Sequence, residues 1–257
     1  MVFLGLIFMY VFLSFDFDAD SAEMLYYEDK PVKISLARFS VRKGLRRVLN
    51  LLDEFDIKTT FFVPGWVVER YPDLIRMIMD DYHELAMHGY RHEKLDALEY
   101  EKEYDIHRRA KEILSRIQGK VFGFRKPYFE ISKNTLNILA ELGILYDGSL
   151  MDSDEPYILQ VGNKEIIELP VYTLLDDWIL FEEDHRSPKE VLNMWIYELD
   201  SAIEEQLNYF CLILHPACIG RASRIRMLRD FILYAKKKHC VFSKGVEIAK
   251  KLKIRKQ

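Results

Sequence analysis

Two aspartates separated by one residue stand near the start of the chain, directly after an apolar run. Asp16 and Asp18 flank Phe17, and the preceding residues 1–13 are almost wholly apolar. Alternate residues of a strand point to the same side, so the two carboxylates would share one face. Two carboxylates on a buried strand need a partner, and one cation would satisfy both. The alternative is that the pair lies beyond the strand end and caps the next segment.

A second group with metal-binding chemistry is the pair His88 and His92. Their spacing places both imidazoles on one face of a helix or tight loop, where they can hold one ion. Imidazole and carboxylate ligands together suit zinc or a similar first-row ion. This spacing is a weak signal by itself, and it becomes stronger in combination with the aspartate pair.

Two further polar residues follow apolar, strand-like segments. Arg125 follows Gly123 and Phe124, and its planar guanidinium group can hold a carboxylate. His215 follows residues 209–214, and a histidine in that place can donate a proton near neutral pH. Taken singly, Arg125 is better interpreted as a surface arginine before a turn. A hydrogen-bonded core histidine is an equally good interpretation of His215.

Alternating strand-like and helix-like segments would bring these residues together. The predicted strands cover residues 10–17, 58–63, 84–87, 121–124, 144–146, 166–169, 209–214 and 240–243. The predicted helices cover residues 41–55, 66–79, 100–117, 132–142, 188–207 and 224–238, and segment 246–252 closes the series. Such repeated units predict a parallel sheet covered by helices, although the pattern does not separate an open sheet from a barrel. In both folds the chemistry lies at the C-terminal ends of the strands. These predicted ends carry Asp16, Asp18, His88, Arg125, Asp147 and His215.

Length and composition are those of one α/β domain. The chain has 257 residues, and no linker divides it, so we expect a single catalytic domain over residues 1–257. Residues 1–9 either belong to it or extend it before the first strand. The net charge of −4 predicts no nucleic-acid partner. The three cysteines show no paired spacing, which favours free thiols in a reducing compartment.

The apolar run at the N-terminus predicts a buried strand. No basic residue precedes the run, and no small-residue cleavage site follows it, as a signal peptide would require. At about 13 residues it is also too short to span a membrane. We therefore expect a cytoplasmic protein without stable membrane association, with either Met1 or Met9 as the true start.

In this order, the segments resemble the motifs of the polysaccharide deacetylases of the NodB type (carbohydrate esterase family 4). More narrowly, they resemble the branch with allantoinase-like proteins and a bacterial peptidoglycan deacetylase. The resemblance runs from about residue 10 to the C-terminus. It rests on residues 60–66 (TFFVPGW), 88–93 (HGYRHE), 123–125 (GFR), 154–157 (DEPY), 176–178 (DDW) and 214–221 (LHPACIGR).

The resemblance implies a fold and a metal site. The fold would be a distorted (β/α) barrel of about seven parallel strands. The cofactor would be a divalent metal ion, with zinc as the first choice, and its ligands would be Asp18, His88 and His92. Three protein ligands leave a position open for water, as a catalytic site requires.

The resemblance also implies the remaining roles in hydrolysis of a carbon–nitrogen amide bond. Asp16 would be the general base, Arg125 would hold Asp16 ionised, and His215 would protonate the leaving nitrogen. The common family motif has adjacent aspartates, whereas Phe17 separates them here, as in the narrower branch. The division of roles between the two aspartates is therefore less secure than the rest.

Four more residues are candidates for substrate binding. Tyr128 and Trp178 could wall the pocket, although an ordinary core role fits them equally well. Asp147 and Asp177 are second candidates, one of which could orient His215, and a turn or cap role is the alternative for each.

Several functions remain open at this level. The favoured one is removal of an acetyl group from an N-acetylated sugar or a related small amide. The alternatives are opening of a cyclic amide or ureide, a non-catalytic binding module on the same barrel, and thiol-based hydrolysis by Cys218 beside His215. The partner would be a small-molecule or carbohydrate substrate, and the resemblance also favours a homo-oligomer.

Overall fold

The structure, a computed structural model, describes residues 8–255, with side chains described up to Leu252. Residues 1–7, the first part of the predicted N-terminal run, lie outside the described residues. The strands are β1 (Tyr10–Asp16), β2 (Thr60–Val63), β3 (Glu84–Met87), β4 (Gly123–Phe124), β5 (Tyr146–Asp147), β6 (Tyr157–Val161), β7 (Lys164–Glu168), β8 (Tyr209–Leu214) and β9 (Val241–Phe242).

One sheet contains all of these strands. Their order is β6-β7-β5-β4-β3-β2-β1-β8, and β9 pairs with the first residues of β1. The seven strands from β7 to β8 pair in parallel, which confirms the distorted barrel of about seven parallel strands. In the described part of the chain, no ladder joins β7 to β8, so the barrel is incomplete on that side. Strand β6, which was not predicted, forms an antiparallel hairpin with β7.

Ten α-helices are present in the described residues. They are α1 (Ser21–Tyr26), α2 (Pro31–Phe39), α3 (Leu45–Glu54), α4 (Gly65–Arg70), α5 (Pro72–Asp80), α6 (Tyr100–Gln118), α7 (Thr135–Glu141), α8 (Pro188–Glu204), α9 (Ala222–Lys237) and α10 (Gly245–Arg255). None of the described helices combines the length and the apolarity that crossing a membrane needs.

Two of the predicted helices differ from the structure in more than the position of their end residues. Residues 66–79 form two helices rather than one, because Pro72 cannot continue α4 and starts α5 instead. The helix predicted over residues 41–55 is the second part of a longer one. That longer helix starts with α2, which was not predicted, passes through a π-helical turn at Ser40–Gly44 and continues as α3. A side chain at Gly44 would overlap the carbonyl of Pro216, so a glycine permits this close approach.

The alternation along β1 sets the orientation of the site. Val11, Leu13 and Phe15 belong to the larger core between the sheet and the helices. Phe12 belongs to the inner core of the barrel with Phe62. Because side chains alternate, the even-numbered residues of β1 face the barrel interior, and its last residue therefore directs its side chain into the barrel mouth.

Glu84 lies buried at the opposite end of the barrel, beside the start of α10. Its Oε2 accepts hydrogen bonds from Thr60 Oγ1 at 2.7 Å and from the Val246 amide at 3.0 Å. Burial raises the pKa of Glu84 from 4.5 to about 7. The folded state thus holds this proton more tightly than the unfolded chain does. The resulting stability is fully present below pH 4.5 and is lost as the pH rises through 7.

Glu84→Gln is therefore expected to stabilise the fold at pH 8 and to have little effect at pH 4, because glutamine keeps an uncharged acceptor at this site. We expect a rise in Tm of about 2–4 °C at pH 8, as about 1 kcal/mol produces in a domain of this size. Thermal unfolding of both proteins at the two pH values measures this. The exposed Glu101→Gln serves as a control for charge alone. An equal shift at both pH values contradicts the prediction.

Candidate active site

The C-terminal ends of four parallel strands meet at one mouth of the barrel. Asp16 ends β1 and Asp18 follows it, while His88, Arg125 and His215 come directly after β3, β4 and β8. These side chains, together with His92, line one cavity of about 450 Å³. The structure thus brings together all six residues to which the sequence assigned metal-binding or proton-transfer roles.

Asp18, His88 and His92 present their ligand atoms to one another. Asp18 Oδ1 lies 3.4 Å from His88 Nε2, and Asp18 Oδ2 lies 3.7 Å from His92 Nε2. The Nδ1 of His88 lies 2.9 Å from the backbone oxygen of Arg125. With its proton on Nδ1, His88 donates to that oxygen and keeps the lone pair of Nε2 directed at Asp18, which is the arrangement of a metal-ligating histidine.

The burial of these groups fits a cation. Burial lowers the pKa of His88 to about 4 and that of His92 well below its ordinary value, so both imidazoles are neutral and each keeps a nitrogen lone pair that a cation could use. Burial raises the pKa of Asp18 to about 8, and its Oδ1 has no hydrogen-bond partner among the described residues. A divalent ion would remove the cost of burying this carboxylate. Two imidazoles and one carboxylate therefore suit a first-row divalent metal.

A tight loop with two left-handed residues carries both histidines. Gly89 has φ 69°, and His92 has φ 62°. The carboxylate of Glu93 accepts hydrogen bonds from the amides of Tyr90 at 2.9 Å and Arg91 at 2.8 Å. These bonds hold the loop in the shape that turns both imidazoles toward Asp18. A side chain at Gly89 would lie 2.9 Å from Glu93 Oε2 and would disturb that contact.

Gly89→Ala is expected to weaken metal binding about 10- to 100-fold, the usual effect of disturbing the residues that orient metal ligands. It should also lower stability, because alanine is strained at this backbone conformation. Gly143→Ala is the matched control, since Gly143 also has a positive φ, of 72°, but has open space around it. We expect a loss of stability in both variants and a loss of metal affinity only at Gly89. Equal metal affinities, measured by competition with a chelator, would contradict this prediction.

Asp16 is held ionised by Arg125. Arg125 Nη1 donates to Asp16 Oδ1 at 2.8 Å, and both side chains are buried. Burial alone would raise the pKa of Asp16, but the charge of Arg125, together with the hydrogen bond from Arg125 and the charge of His215, outweighs it, so the pKa lies below its ordinary value. The other oxygen of Asp16, Oδ2, lies 3.9 Å from His88 Nε2 and 4.0 Å from His215 Nε2. It therefore faces the space between the histidines.

His215 is oriented by two neighbouring carboxylates. Its Nδ1 lies 2.8 Å from Asp177 Oδ1 and 3.4 Å from Asp176 Oδ1, and its backbone amide also donates to Asp177. Burial lowers the pKa of His215, but Asp176 and Asp177 outweigh burial and hold the pKa well above its ordinary value. The proton on Nδ1 is directed at Asp177, so Nε2 faces the cavity, 3.9 Å from Asp18 Oδ2.

The four predicted substrate-binding residues divide into two groups. Tyr128 and Trp178 line the cavity, with Tyr128 4.5 Å from the ring of His92 and Trp178 6.0 Å from that of His215. Asp177 lies behind His215 and does not line the cavity, so it orients His215 rather than reaching a substrate. Asp147 does not line the cavity either, because Ser149 covers its carboxylate and donates to it at 2.5 Å. The geometry thus favours the orienting role for Asp177 and gives no support to direct substrate contact by either aspartate.

The sequence also left some lining residues unassigned. Asp176 lies beside Asp177 in the quoted motif, and its contact with His215 could have been expected from that adjacency. Lys126 lines the cavity next to Arg125. Glu23 and Tyr27 reach the cavity from the region of α1, a helix that the hydrophobic pattern did not reveal.

Cys218 is not placed as a nucleophile. It is buried, its thiol donates to the backbone oxygen of Asp177 at 3.3 Å, and Arg224 Nη1 lies 2.9 Å from its sulfur. Burial, with the nearby charge of Asp177, raises the pKa of the thiol far above its ordinary value. Because only the thiolate is a good nucleophile, thiol-based hydrolysis loses its support.

Known proteins resemble this chain in both sequence and fold. A model of the polysaccharide deacetylase family matches residues 20–146. A peptidoglycan deacetylase of Helicobacter pylori is 28% identical over 245 residues, which are 82% of this chain and 83% of that protein. The crystal structure of a Mycobacterium smegmatis protein assigned to the polysaccharide deacetylases is 34% identical, with a TM-score of 0.91 over 100% of this chain and 94% of the other.

An allantoinase structure shares the fold. It has a TM-score of 0.88 over 96% of this chain and 91% of its own, at 23% identity. The stronger likeness in sequence is to the deacetylases, and it extends over nearly the full length of the chains compared. This chain therefore belongs to the polysaccharide deacetylase family and is a hydrolase of carbon–nitrogen amide bonds.

Proposed function

We propose that this protein is a metal-dependent deacetylase that removes the acetyl group from an N-acetylated amino sugar or a related small amide. One observation carries the proposal: a complete set of ligand, base and acid groups faces a single cavity. Asp18, His88 and His92 form the ligand set. Asp16 faces it from the end of β1, the strand that Asp18 follows, and His215 faces it from the end of β8. Zinc is the metal that we propose first, because tetrahedral sites of imidazole and carboxylate favour it.

The side chains would divide the proton transfers of amide hydrolysis between them. A divalent ion at Asp18, His88 and His92 supplies water activation and polarisation of the amide carbonyl. Asp16 accepts the proton of the attacking water at Oδ2, the oxygen that Arg125 does not hold. His215 donates a proton from Nε2 to the leaving nitrogen, because an amine leaves poorly unless it is protonated.

The neighbouring groups keep the base and the acid in place. Arg125 keeps Asp16 ionised and fixes its orientation. Asp177 fixes the tautomer of His215 and stabilises its charged form, as a carboxylate does in other histidine-dependent hydrolases. Tyr128 and Trp178 wall the cavity and exclude water from the two sides of the reacting group.

The domain and partner assignments are part of this proposal. The sheet runs without interruption from β6 to β8, and the site uses strands from both halves of the chain, which supports one catalytic domain. A carbohydrate substrate is in keeping with the family. The cytoplasmic location and the homo-oligomeric state expected from the sequence stay predictions, which cell fractionation and size-exclusion chromatography test.

The substrate test separates the deacetylase from the cyclic-amide alternative and from a non-catalytic module. Purified protein is loaded with zinc and incubated with N-acetylglucosamine oligomers and with allantoin, while acetate and ring opening are measured. We expect acetate release from the oligomers that is lost on chelation and restored by zinc. Ring opening without acetate release would support the cyclic-amide alternative. No turnover of either, with full metal occupancy, would favour a binding module.

A further inference from the structure

The cavity wall contains a buried cation that the proposed reaction does not use. Lys126 follows Arg125 in the loop after β4, lines the cavity and is only 5% exposed. Arg125 is neutralised by Asp16, whereas Lys126 has no such partner: within residues 8–252, no ion pair to a carboxylate forms at Nζ. Charged lysines are rarely buried without a partner, so the position requires an explanation.

The described contacts of Lys126 leave donors unused. Nζ donates to the backbone oxygen of Ser149 at 2.5 Å, and this is the one hydrogen bond that Nζ makes within the described part of the chain. An ammonium group has three donors. One accepting carbonyl therefore leaves two of the three donors of this cavity-lining residue without a partner among the described residues.

Two carboxyl groups near Lys126 form no ion pair with its Nζ within residues 8–252. Asp147 and Glu168 are opposite each other on β5 and β7, both fully buried. Among the residues that the structure describes, Asp147 Oδ2 and Glu168 Oε2 have no hydrogen-bond partner, and burial raises the pKa of both residues. A proton shared by the two groups would satisfy both oxygens and leave one negative charge on the pair, none of whose oxygens lies within 4.0 Å of Lys126 Nζ. Ser149 binds both members, through Asp147 Oδ1 and Glu168 Oε1, and so separates them from the cavity.

We propose that Lys126 binds a carboxylate on the substrate, so that the preferred substrates are N-acetylated amino sugars that carry an acidic group. This inference rests on the proposed deacetylase function and names the substrate class. A lysine ammonium is a compact point charge, which suits a single carboxylate without demanding a fixed geometry. A hydrogen bond between ionised groups is stronger than one between neutral groups, and the cavity is partly shielded from water.

A purely structural role for Lys126 is the competing explanation. The lysine would then only hold the 148–150 segment through Ser149. The two roles make different predictions for Lys126→Gln. Glutamine can still donate to the Ser149 carbonyl, but it carries no charge, so it preserves a structural link and removes the attraction for a carboxylate.

The test compares two sugars that differ by one acidic substituent. N-acetylmuramic acid carries a carboxylate on a lactyl ether, and N-acetylglucosamine has a hydroxyl in its place. Binding is measured by calorimetry on zinc-loaded protein carrying Asp16→Asn, so that turnover is not needed. Deacetylation by the protein with Asp16 intact is measured in parallel as acetate release.

We expect the wild-type cavity to bind the acidic sugar about tenfold or more tightly than the neutral one, the usual strength of one added hydrogen bond to a charged group. Lys126→Gln and Lys126→Met should both abolish this preference while leaving the affinity for N-acetylglucosamine within about twofold. Lys94→Met is the matched control, because Lys94 is exposed near Tyr128 and does not line the cavity. It should keep the preference.

Each outcome decides one question. Equal affinity of the two sugars for the wild-type cavity overturns the inference, even if deacetylation is observed. A preference that survives in Lys126→Gln overturns it as well, because the charge is then not the cause. A preference for the acidic sugar that is lost in Lys126→Gln supports the inference, whether or not acetate is released. If no acetate is released, that result counts against the proposed deacetylase function and not against the role of Lys126.

Discussion

Replacing His88 with alanine is expected to lower kcat/KM for an N-acetyl substrate about a thousandfold or more. In the proposed metal site His88 contributes Nε2, which lies 3.4 Å from Asp18 Oδ1, and its Nδ1 is fixed by the backbone oxygen of Arg125. Removing it leaves two ligands, which hold a divalent ion far more weakly than three. The charge stabilisation that a metal gives an amide hydrolysis amounts to several kcal/mol, and about 4 kcal/mol corresponds to a thousandfold in rate.

Metal content distinguishes this loss from general damage. We expect wild-type protein to contain about one equivalent of divalent metal per chain after dialysis, and His88→Ala to contain much less. His239→Asn is the control, because His239 is exposed, lies outside the cavity and has φ 60°, a conformation that asparagine tolerates. It should retain metal and activity. Full turnover by His88→Ala, or by chelated wild-type protein, would refute the metal site.

Asp16→Asn is expected to lower kcat by about 10²–10⁴, the contribution of a positioned general base. Asparagine has the shape of aspartate and can still accept from Arg125, so the fold and the metal site should persist. It cannot take up a proton from water, however. We therefore expect metal content near that of the wild type together with a large loss of kcat and a small change in KM. Steady-state kinetics on metal-loaded protein measure both constants.

Asp20→Asn is the matched control for this substitution. Asp20 is also buried and also paired with an arginine, since Arg38 Nε lies 2.6 Å from its Oδ2, but it does not line the cavity. Its replacement should cost stability and leave kcat within a few-fold of the wild type. If Asp20→Asn reduced kcat as strongly as Asp16→Asn does, the loss would reflect a damaged ion pair rather than a missing base.

The alternation of apolar segments predicted a parallel sheet covered by helices, and the family resemblance was needed to predict that this sheet curls into a barrel. The strands at Glu84–Met87 and Tyr209–Leu214 have the predicted bounds, because each is a short apolar run between clear helical segments. The hairpin strand Tyr157–Val161 and the helix Ser21–Tyr26 were not predicted. Both are only partly buried, so their sequences lack the strong hydrophobic periodicity on which such predictions depend.

The same limit applies to individual side chains at the strand ends. Asp18 follows β1 and Asp147 ends β5, so the strand pattern places both carboxylates at the same edge of the sheet. The chain after β5 folds so that Ser149 covers Asp147, whereas Asp18 lines the open cavity. Which of the two carboxylates reaches the cavity depends on the loop that follows its strand, and no local sequence pattern encodes the path of that loop.

The sequence by itself determined which kinds of groups are available and at which end of the sheet they stand. Residue type and strand periodicity are local properties, and the ends of parallel strands must meet at one edge. The family resemblance anticipated the pairing of Arg125 with Asp16. Only the tertiary structure decided that Asp177, and not Asp147, lies behind His215, and that Lys126 forms no ion pair with a carboxylate within residues 8–252. These pairings join residues far apart in the chain, and their distances and burial arise only when the barrel packs, because they depend on every strand and loop between them.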